Sequence, residues 1–432
     1  MNYMLSNTNK YIIVFNGLGM FKYPQYLTYI SSVNAEIINF EEDNKKNRDF
    51  YEHIINENNN KAMLLKNTFF LKHGELESAF EIIMSLQVNS RVIGVLNLHE
   101  IHVKQAAVIA QLLDLPNIGE KAMECCTNKY IQRITFRELS PKFKLSVNKD
   151  YSFDFDFPIV VKPIDKHSSI NVVKCSSAKE LEELLIDYDE EIFLMEEWIS
   201  GTEFSIESIV ERGKIVFSGV TKKATNEQFS RHFVEIGHTV PATVTLSISE
   251  QITKFNETVV ERLKFGSGVV HLEVKVDNKG QLYLIEVAAR NPGDSIMALY
   301  NLAYGFSFEK AIVDVILDNN VSFNKKAIRF AREMYVDLSV SNISKMHSEF
   351  PRSKITELWN HEFREHEFVC NSEHESEIHE IVVFKQKCEE VYDIKNSYDR
   401  RVSILMSAPT LDKLDELTSS IQKEYNERNI IL

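Results

Sequence analysis

No apolar run in this 432-residue sequence reaches the ~18 residues of a membrane-spanning helix, so no membrane span is expected. Positive charge is not in excess. Lysine and arginine number 49 against 63 aspartates and glutamates, a formal net charge of −14. Non-specific binding to nucleic acid or to an anionic membrane needs basic patches, so neither is expected as a partner. Cysteine is scarce, with five residues and no regular spacing. That pattern excludes a disulfide framework and reads as reduced thiols in a cytosolic protein. The vicinal pair Cys125-Cys126 has no neighbouring residues to complete a metal site and reads as structural. The opening stretch MNYMLSNTNK lacks the apolar core of a signal peptide, and a cytoplasmic location is expected. There is no internal repeat, no low-complexity linker, and no Ser-His-Asp or Cys-His signature of covalent catalysis.

What is present describes a globular chain with 44% hydrophobic and 26% charged residues, long enough for two or three domains. Lys10 to Phe15 is a buried-strand run followed by Asn16-Gly17-Leu18-Gly19, a weak form of the dinucleotide fingerprint that lacks its third glycine. Strand and helix patterns alternate to about residue 120, with an amphipathic helix at Val103 to Leu113, as in an open α/β domain. Short strands and turns follow to about residue 200. Phe157 to Lys162 and Ile192 to Ile199 read as strands, and Ala178 to Leu185 reads as a helix capped by Ser176-Ser177. Helices are expected at Ser249 to Leu263 and Phe308 to Leu317.

Two carboxylates carry the most information. In Val269 to Val276 the odd positions His271, Glu273 and Lys275 alternate with apolar even ones, which predicts a strand with one wet face and one buried face. In Leu282 to Arg290, Tyr283, Ile285 and Val287 take one face; Glu286, Ala288 and Arg290 take the other. Asp277-Asn278-Lys279-Gly280 between them is hairpin turn chemistry. If Val276 pairs with Gln281, Glu273 and Glu286 are diagonal neighbours; if the turn is Lys279-Gly280, they face each other. Either register puts them within roughly 5–8 Å at their β-carbons. Like charges so placed repel unless a cation sits between them, and Mg²⁺ with one or two carboxylates and substrate phosphates fits. Read alone, the pair is equally consistent with a sheet face salt-bridged to Lys275 and Arg290.

Other residues are ambiguous in isolation. Lys162 ends an apolar strand before a loop containing Lys166, Ser168 and Ser169, where loop amides and hydroxyls could cover a phosphate. It also reads as a snorkelling lysine, and Lys129 is similar. Glu196-Glu197-Trp198-Ile199 ends a strand before Gly201-Thr202-Glu203, a hinge that could meet an adenine edge and ribose hydroxyls, or simply water. His238, in an extended segment ending at Pro241, could bind an anionic group or lie on the surface. Arg231 and His232 could recognise a carboxylate or form a surface basic pair. His361, His366, His374 and His379 are spaced by five, eight and five residues, which misses the spacing that two ligands on one helix face prefer.

Taken in order, Lys129, VVKP ending at Lys162-Pro163, MEEWISGTEF, HLE at Glu273 and IEVAARNPG resemble the ATP-grasp superfamily, and within it the carboxylate–amine ligases of the L-amino acid ligase (dipeptide synthetase) type. The resemblance covers about residues 90 to 320, and GHTVP belongs to it. It implies an α/β (α+β) ATP-grasp fold: an N-terminal Rossmann-like pre-ATP-grasp domain over 1–120, a central ATP-binding lid over 121–200, and a catalytic domain with a small terminal lobe over 201–432. By position, it implies that Lys129, Lys162, Ser168 and Ser169 meet ATP phosphates. Glu196, Glu197 and Ile199 form the adenine hinge, and Glu203 holds the ribose. Glu273 and Glu286 bind Mg²⁺ or Mn²⁺. Arg290 stabilises the transferring phosphoryl group, and His238 lies near the carboxylate substrate or acyl phosphate. Gly293 and Asp294 join Arg231 and His232 as candidate substrate contacts.

The implied activity is ATP-dependent joining of a carboxylate to an amine, both amino-acid-like, with ADP and phosphate released and a homodimer as the assembly. Two features depart from the usual pattern: Asp165 to Asn171 contains no glycine, and Ala288 stands where many ATP-grasp enzymes have an asparagine. A nucleotide-binding regulatory module without turnover, a different ATP-grasp ligase or carboxylase, and a metal protein built on the C-terminal histidines are the alternatives.

Overall fold

The computed structural model describes residues 10–56, 62–72, 75–88, 91–148, 152–166, 168–188, 192–324, 326–358, 375–385 and 394–425. Three sheets organise them, and the site lies between the second and the third.

The first sheet contains β1 (Lys10–Phe15), β2 (Ala35–Glu42), β3 (Thr68–Leu71) and β4 (Val92–Asn97) in the order β3-β2-β1-β4. All three pairings are parallel. A parallel sheet needs cover on both faces. Accordingly, Ile12 and Val14 pack into one core cluster, while Tyr11, Ile13 and Phe15 pack into another. The strand therefore reads as one unbroken apolar run.

The second sheet is antiparallel, with β5 (Phe143–Val147), β6 (Ile159–Pro163), β7 (Val173–Cys175) and β8 (Ile192–Glu197) in the order β5-β8-β6-β7. A helix at Ala178–Asp187 packs on it, and the Ser177 side chain accepts the Glu180 N–H as its cap. Such a cap satisfies one of the first-turn amides.

The third sheet has nine strands: β9 (Gly201–Glu211), β10 (Lys214–Thr225), β11 (Glu235–Val240), β12 (Gly268–Asp277), β13 (Leu282–Ala288), β14 (Phe330–Val336), β15 (Lys354–Glu357), β16 (Glu377–Val383) and β17 (Val402–Ala408). Their order is β13-β12-β9-β10-β11-β14-β17-β16-β15, so the C-terminal strands continue the same sheet. The expected helices appear at Leu246–Arg262 and Phe308–Ile316. Among the described residues no helix is long and apolar enough to cross a membrane.

Candidate functional site

β12 and β13 form the hairpin, with the acids facing each other as the Lys279-Gly280 turn register predicts, but with a shifted register next to the turn. Next to the turn Val276 pairs with Leu282 and Val274 with Leu284; a bulge then brings Glu273 opposite Glu286. The extra residue is Ile285. It reverses which face the strand presents, as an inserted residue must in a period-2 chain. Leu282 and Leu284 point into the core before it and Val287 after it. Tyr283 and Ile285 therefore do not share a face with Val287, contrary to the alternation read from sequence. Ile285 lines the cleft instead. The bulge has an identifiable partner: Arg133 Nη2 donates to Ile285 O at 2.7 Å. One residue earlier on that helix, Gln132 bonds both the N–H and the C=O of Val287 at 3.0 Å, pairing the sheet edge as a strand would.

The polar face of β12 is not wet. His271 and Lys275 are 6% and 3% exposed. Buried charges need partners. Lys223 Nζ, from β10, lies 2.5 Å from Glu273 and 2.7 Å from Glu203. His271 Nδ1 is 2.9 Å from the buried Glu207, and its Nε2 is 3.3 Å from Glu273. Burial opposes the charge on His271, but these two carboxylates raise its pKa to about 9, so the ring is a cation at neutral pH. Burial likewise disfavours the Glu273 carboxylate, yet Lys223 and His271 hold its pKa well below the usual range. Lys275 Nζ is 2.5 Å from Glu227 and 3.3 Å from Ile199 O.

The opposite wall of the cleft comes from the small antiparallel sheet. Glu196 is 3% exposed and is held by Arg133 Nε at 2.7 Å and Lys162 Nζ at 2.8 Å. Its backbone lies in the ladder between β5 and β6. Of the expected adenine hinge, Glu196 is thus committed to the protein, whereas the Ile199 N–H makes no hydrogen bond among the described residues. Burial and the neighbouring Arg133 pull the Lys162 pKa down to about 8. Burial raises the Glu203 pKa against the pull of Lys223 and Lys275.

Between the walls, Lys129 Nζ lies 3.1 Å from Glu286 and donates to Lys166 O at 2.5 Å. Ser168 and Ser169 line the same cleft, and they and Asn171 adopt φ of 58°, 56° and 58°. The glycine-free loop therefore takes the left-handed conformation without glycine. Arg290 follows β13; its Nε donates to Glu100, and its Nη1 to Asn291 O at 2.8 Å.

The remaining expectations fall elsewhere. His238 is 2% exposed and outside the cleft lining, with Nε2 2.7 Å from Asp294 and a buried Nδ1 that has no partner among the described residues. Arg400 grips Asp294 with two bonds of 2.6 and 3.0 Å. His238 and Asp294 are brought together, with Glu333 within reach of both. Arg231 has an exposed side chain, and its carbonyl accepts the Lys174 N–H at 2.7 Å. His232 forms a bridge to Val173, so this pair fastens a loop to β7 and does not face the cleft. Gly293 is exposed, and a β-carbon placed on it would meet nothing within 4 Å. Of the C-terminal histidines, His361, His366 and His374 lie outside the described residues. His379 is buried on β16 with Nε2 2.7 Å from Ser407 Oγ.

Sequence reasoning missed Arg133, Glu207, Lys223 and Ile285. One signal was available: Arg133 is four residues after Lys129 on one helix face.

Two carboxylates facing across a hairpin supply hard oxygen donors, which suit Mg²⁺ or Mn²⁺. The lysine on each acid offsets their mutual repulsion, and both acids open onto a cleft of ≈ 110 Å³ with Lys129 and Lys162 in its walls.

Residues 155–298 match the family model described as ATP-grasp domain. The chain carries an ATP-grasp domain. D-alanine–D-alanine ligase from Bacillus velezensis is 27% identical over 222 residues, covering 45% of this chain and 61% of the relative. The Pseudomonas putida ligase of the same name is 25% identical over 177 residues, covering 39% and 54%. The chain thus spans between half and about three fifths of these curated relatives. Among solved structures, the L-amino acid ligase from Bacillus licheniformis superposes with a TM-score of 0.73 at 18% identity, covering 98% of this chain and 99% of that one. N5-carboxyaminoimidazole synthetase from Staphylococcus aureus, complexed with ADP, gives 0.67 at 14% identity, covering 98% and 100%. At those identities the structural likeness establishes an ATP-grasp fold.

Proposed function

We propose that this chain is an ATP-dependent carboxylate–amine ligase that joins amino-acid-like substrates through an acyl phosphate. The observation that carries the reading is the direct pairing of Glu273 with Glu286 at the floor of a lysine-walled cleft. A divalent cation held by these two acids would neutralise charge developing between the β- and γ-phosphates.

The chain's own groups supply the rest. The Ile199 N–H, unbonded among the described residues, and the Glu203 carboxylate suit a base edge and ribose hydroxyls. Lys129 and Lys162 reach the phosphates, and the loop holding Ser168 and Ser169 closes over them. Lys223 sits between Glu203 and Glu273, so it can turn from one acid to a phosphate oxygen. Arg290, half-buried and always charged, presents a planar fork to the reacting carboxylate. The substrate carboxylate oxygen attacks the γ-phosphorus and ADP leaves. The amine nitrogen then attacks the acyl carbon, the bond to phosphate breaks, and the nitrogen's proton leaves with phosphate.

The test is ADP release with pairs of common amino acids, with mass detection of the product. Glu286→Gln is expected to lower turnover at least about a hundredfold, the scale of losing one preorganised charge contact at a transition state. Full turnover in that variant would remove the cation assignment. A bicarbonate-dependent release would instead favour a carboxylating reaction, a second reading kept open by the likeness to the carboxyaminoimidazole synthetase fold.

A further inference from the structure

β13 is an edge of the nine-stranded sheet, so its outer backbone has no strand neighbour among the described residues. The Lys129–Thr135 helix takes that place. Its start is fixed by Asn128, whose side chain accepts the Tyr130 and Ile131 N–H groups. Three of its side chains then meet three consecutive residues of β13. Arg133 Nη2 donates to Ile285 O at 2.7 Å, and Lys129 Nζ pairs with Glu286 at 3.1 Å. Gln132 bonds both backbone groups of Val287 at 3.0 Å. Glu286 is therefore held on both flanks as well as at its carboxylate.

The bulge shows what this grip secures. A regular strand turns alternate side chains to one face. Here two neighbours, Ile285 and Glu286, both open onto the cleft, one an apolar wall and the other an acid. A bulge leaves its extra residue out of the ladder, and that residue's carbonyl needs another donor. Arg133, which is 0% exposed, supplies it. The same Nη2 also donates to Glu196 Oε2 at 3.1 Å, while Nε donates to Oε1 at 2.7 Å. Glu196 lies on the other wall, three residues before Ile199. One planar guanidinium thus ties the two walls together. A lysine is a single point charge and lacks the fork that meets these three acceptors at once.

We propose that Gln132 and Arg133 are positioning residues of the cation site. They hold the bulge in which Ile285 and Glu286 face the cleft side by side, and they keep Glu286 opposite Glu273. The proposal rests on the reading of Glu273 and Glu286 as cation ligands. Both residues act through the backbone of β13. Groups that orient a metal ligand in this way typically change metal affinity 10- to 100-fold when removed.

The experiment measures Mn²⁺ binding to the protein with ADP, followed by water-proton relaxation against a protein-free Mn²⁺–ADP control. Arg133→Lys keeps the charge beside Glu196 and loses the fork. Gln132→Met keeps the bulk and loses both bonds to Val287. Val259→Ala, at a fully buried position on the Leu246–Arg262 helix, lowers stability by creating a cavity and serves as the control. Arg133→Lys and Gln132→Met are each expected to weaken Mn²⁺ binding at least tenfold, and Val259→Ala to leave it within about twofold. Unchanged Mn²⁺ affinity in either folded variant overturns the role of that residue, so the proposal stays testable if the other variant does not fold. An equal loss in Val259→Ala overturns both roles, because reduced stability then accounts for the effect. Equal Mn²⁺ affinity in the wild type and Glu286→Gln overturns the cation reading itself, a result the other outcomes do not produce.

Discussion

Two loops in this chain leave buried strands, and they differ in what their residues face. The loop after β1 has the glycines. Its amides are already taken: Gly17 N–H donates to Asn39 Oδ1 at 2.8 Å and Leu18 N–H to Glu41 Oε1 at 2.7 Å, with both acceptors 0% exposed. The loop after β6 has no glycine, but Ser168, Ser169 and Asn171 take left-handed backbone conformations and the two serines line the cleft proposed to hold the nucleotide. Glycine thus marks where the backbone bends tightly, and in the first loop the neighbouring strand takes the amides that a phosphate would need. In the first loop a protein carboxylate occupies the place an anion would take, so a phosphate there would meet like charge.

The largest test of that contrast is Glu41→Gln. Burial raises the Glu41 pKa to about 7, against the bonds from Leu18 and Asn39. A carboxyl that holds its proton more tightly when folded adds stability at low pH and loses it as pH rises through the folded pKa. Glutamine mimics the protonated form. At pH 8.5 the variant is expected to be more stable than wild type by on the order of 3 kcal/mol, shrinking to under about 1 kcal/mol at pH 5. Denaturant unfolding across pH measures this, and equal stability at both pH values would show that no buried anion fills the loop. Next in size is Gly17→Ala. A β-carbon there would meet Asn39 Cγ at 2.7 Å, an overpacking expected to cost about 1–3 kcal/mol. ATP affinity should not change; a tenfold loss would make this loop a phosphate site after all.

The same contrast shows what was legible in the sequence. The facing acids could be read because their strands are joined by a four-residue turn, and both plausible registers bring them together. The bulge at Ile285 could not, because its carbonyl is drawn to Arg133, 152 residues away in sequence. Lys223 was hidden for a related reason: β10 is not adjacent to β12, and its side chain reaches Glu273 across β9. The polar face of β12 looked solvated because alternation reports which residues are polar and cannot report what covers them. The glycine-free loop looked obstructed because composition shows which conformations come cheaply, and three residues here adopt the costlier one.

That cost makes Ser169→Gly the smallest and most pointed test. A left-handed φ costs an ordinary residue roughly 1–2 kcal/mol, and glycine loses about 0.5–1 kcal/mol of backbone freedom on folding in exchange. The variant should be more stable by at most about 1.5 kcal/mol. If serine serves to hold the loop amides in place, ATP affinity should fall two- to threefold, because a glycine leaves the loop to be ordered only when the nucleotide arrives. Stability and affinity would then move in opposite directions, which simple relief of strain does not produce. Isothermal titration with a non-hydrolysable ATP analogue, paired with thermal unfolding, separates the cases. A rise in affinity would mean that the serine side chain stands in the way of the phosphates, and the absence of glycine would then limit closure of the loop.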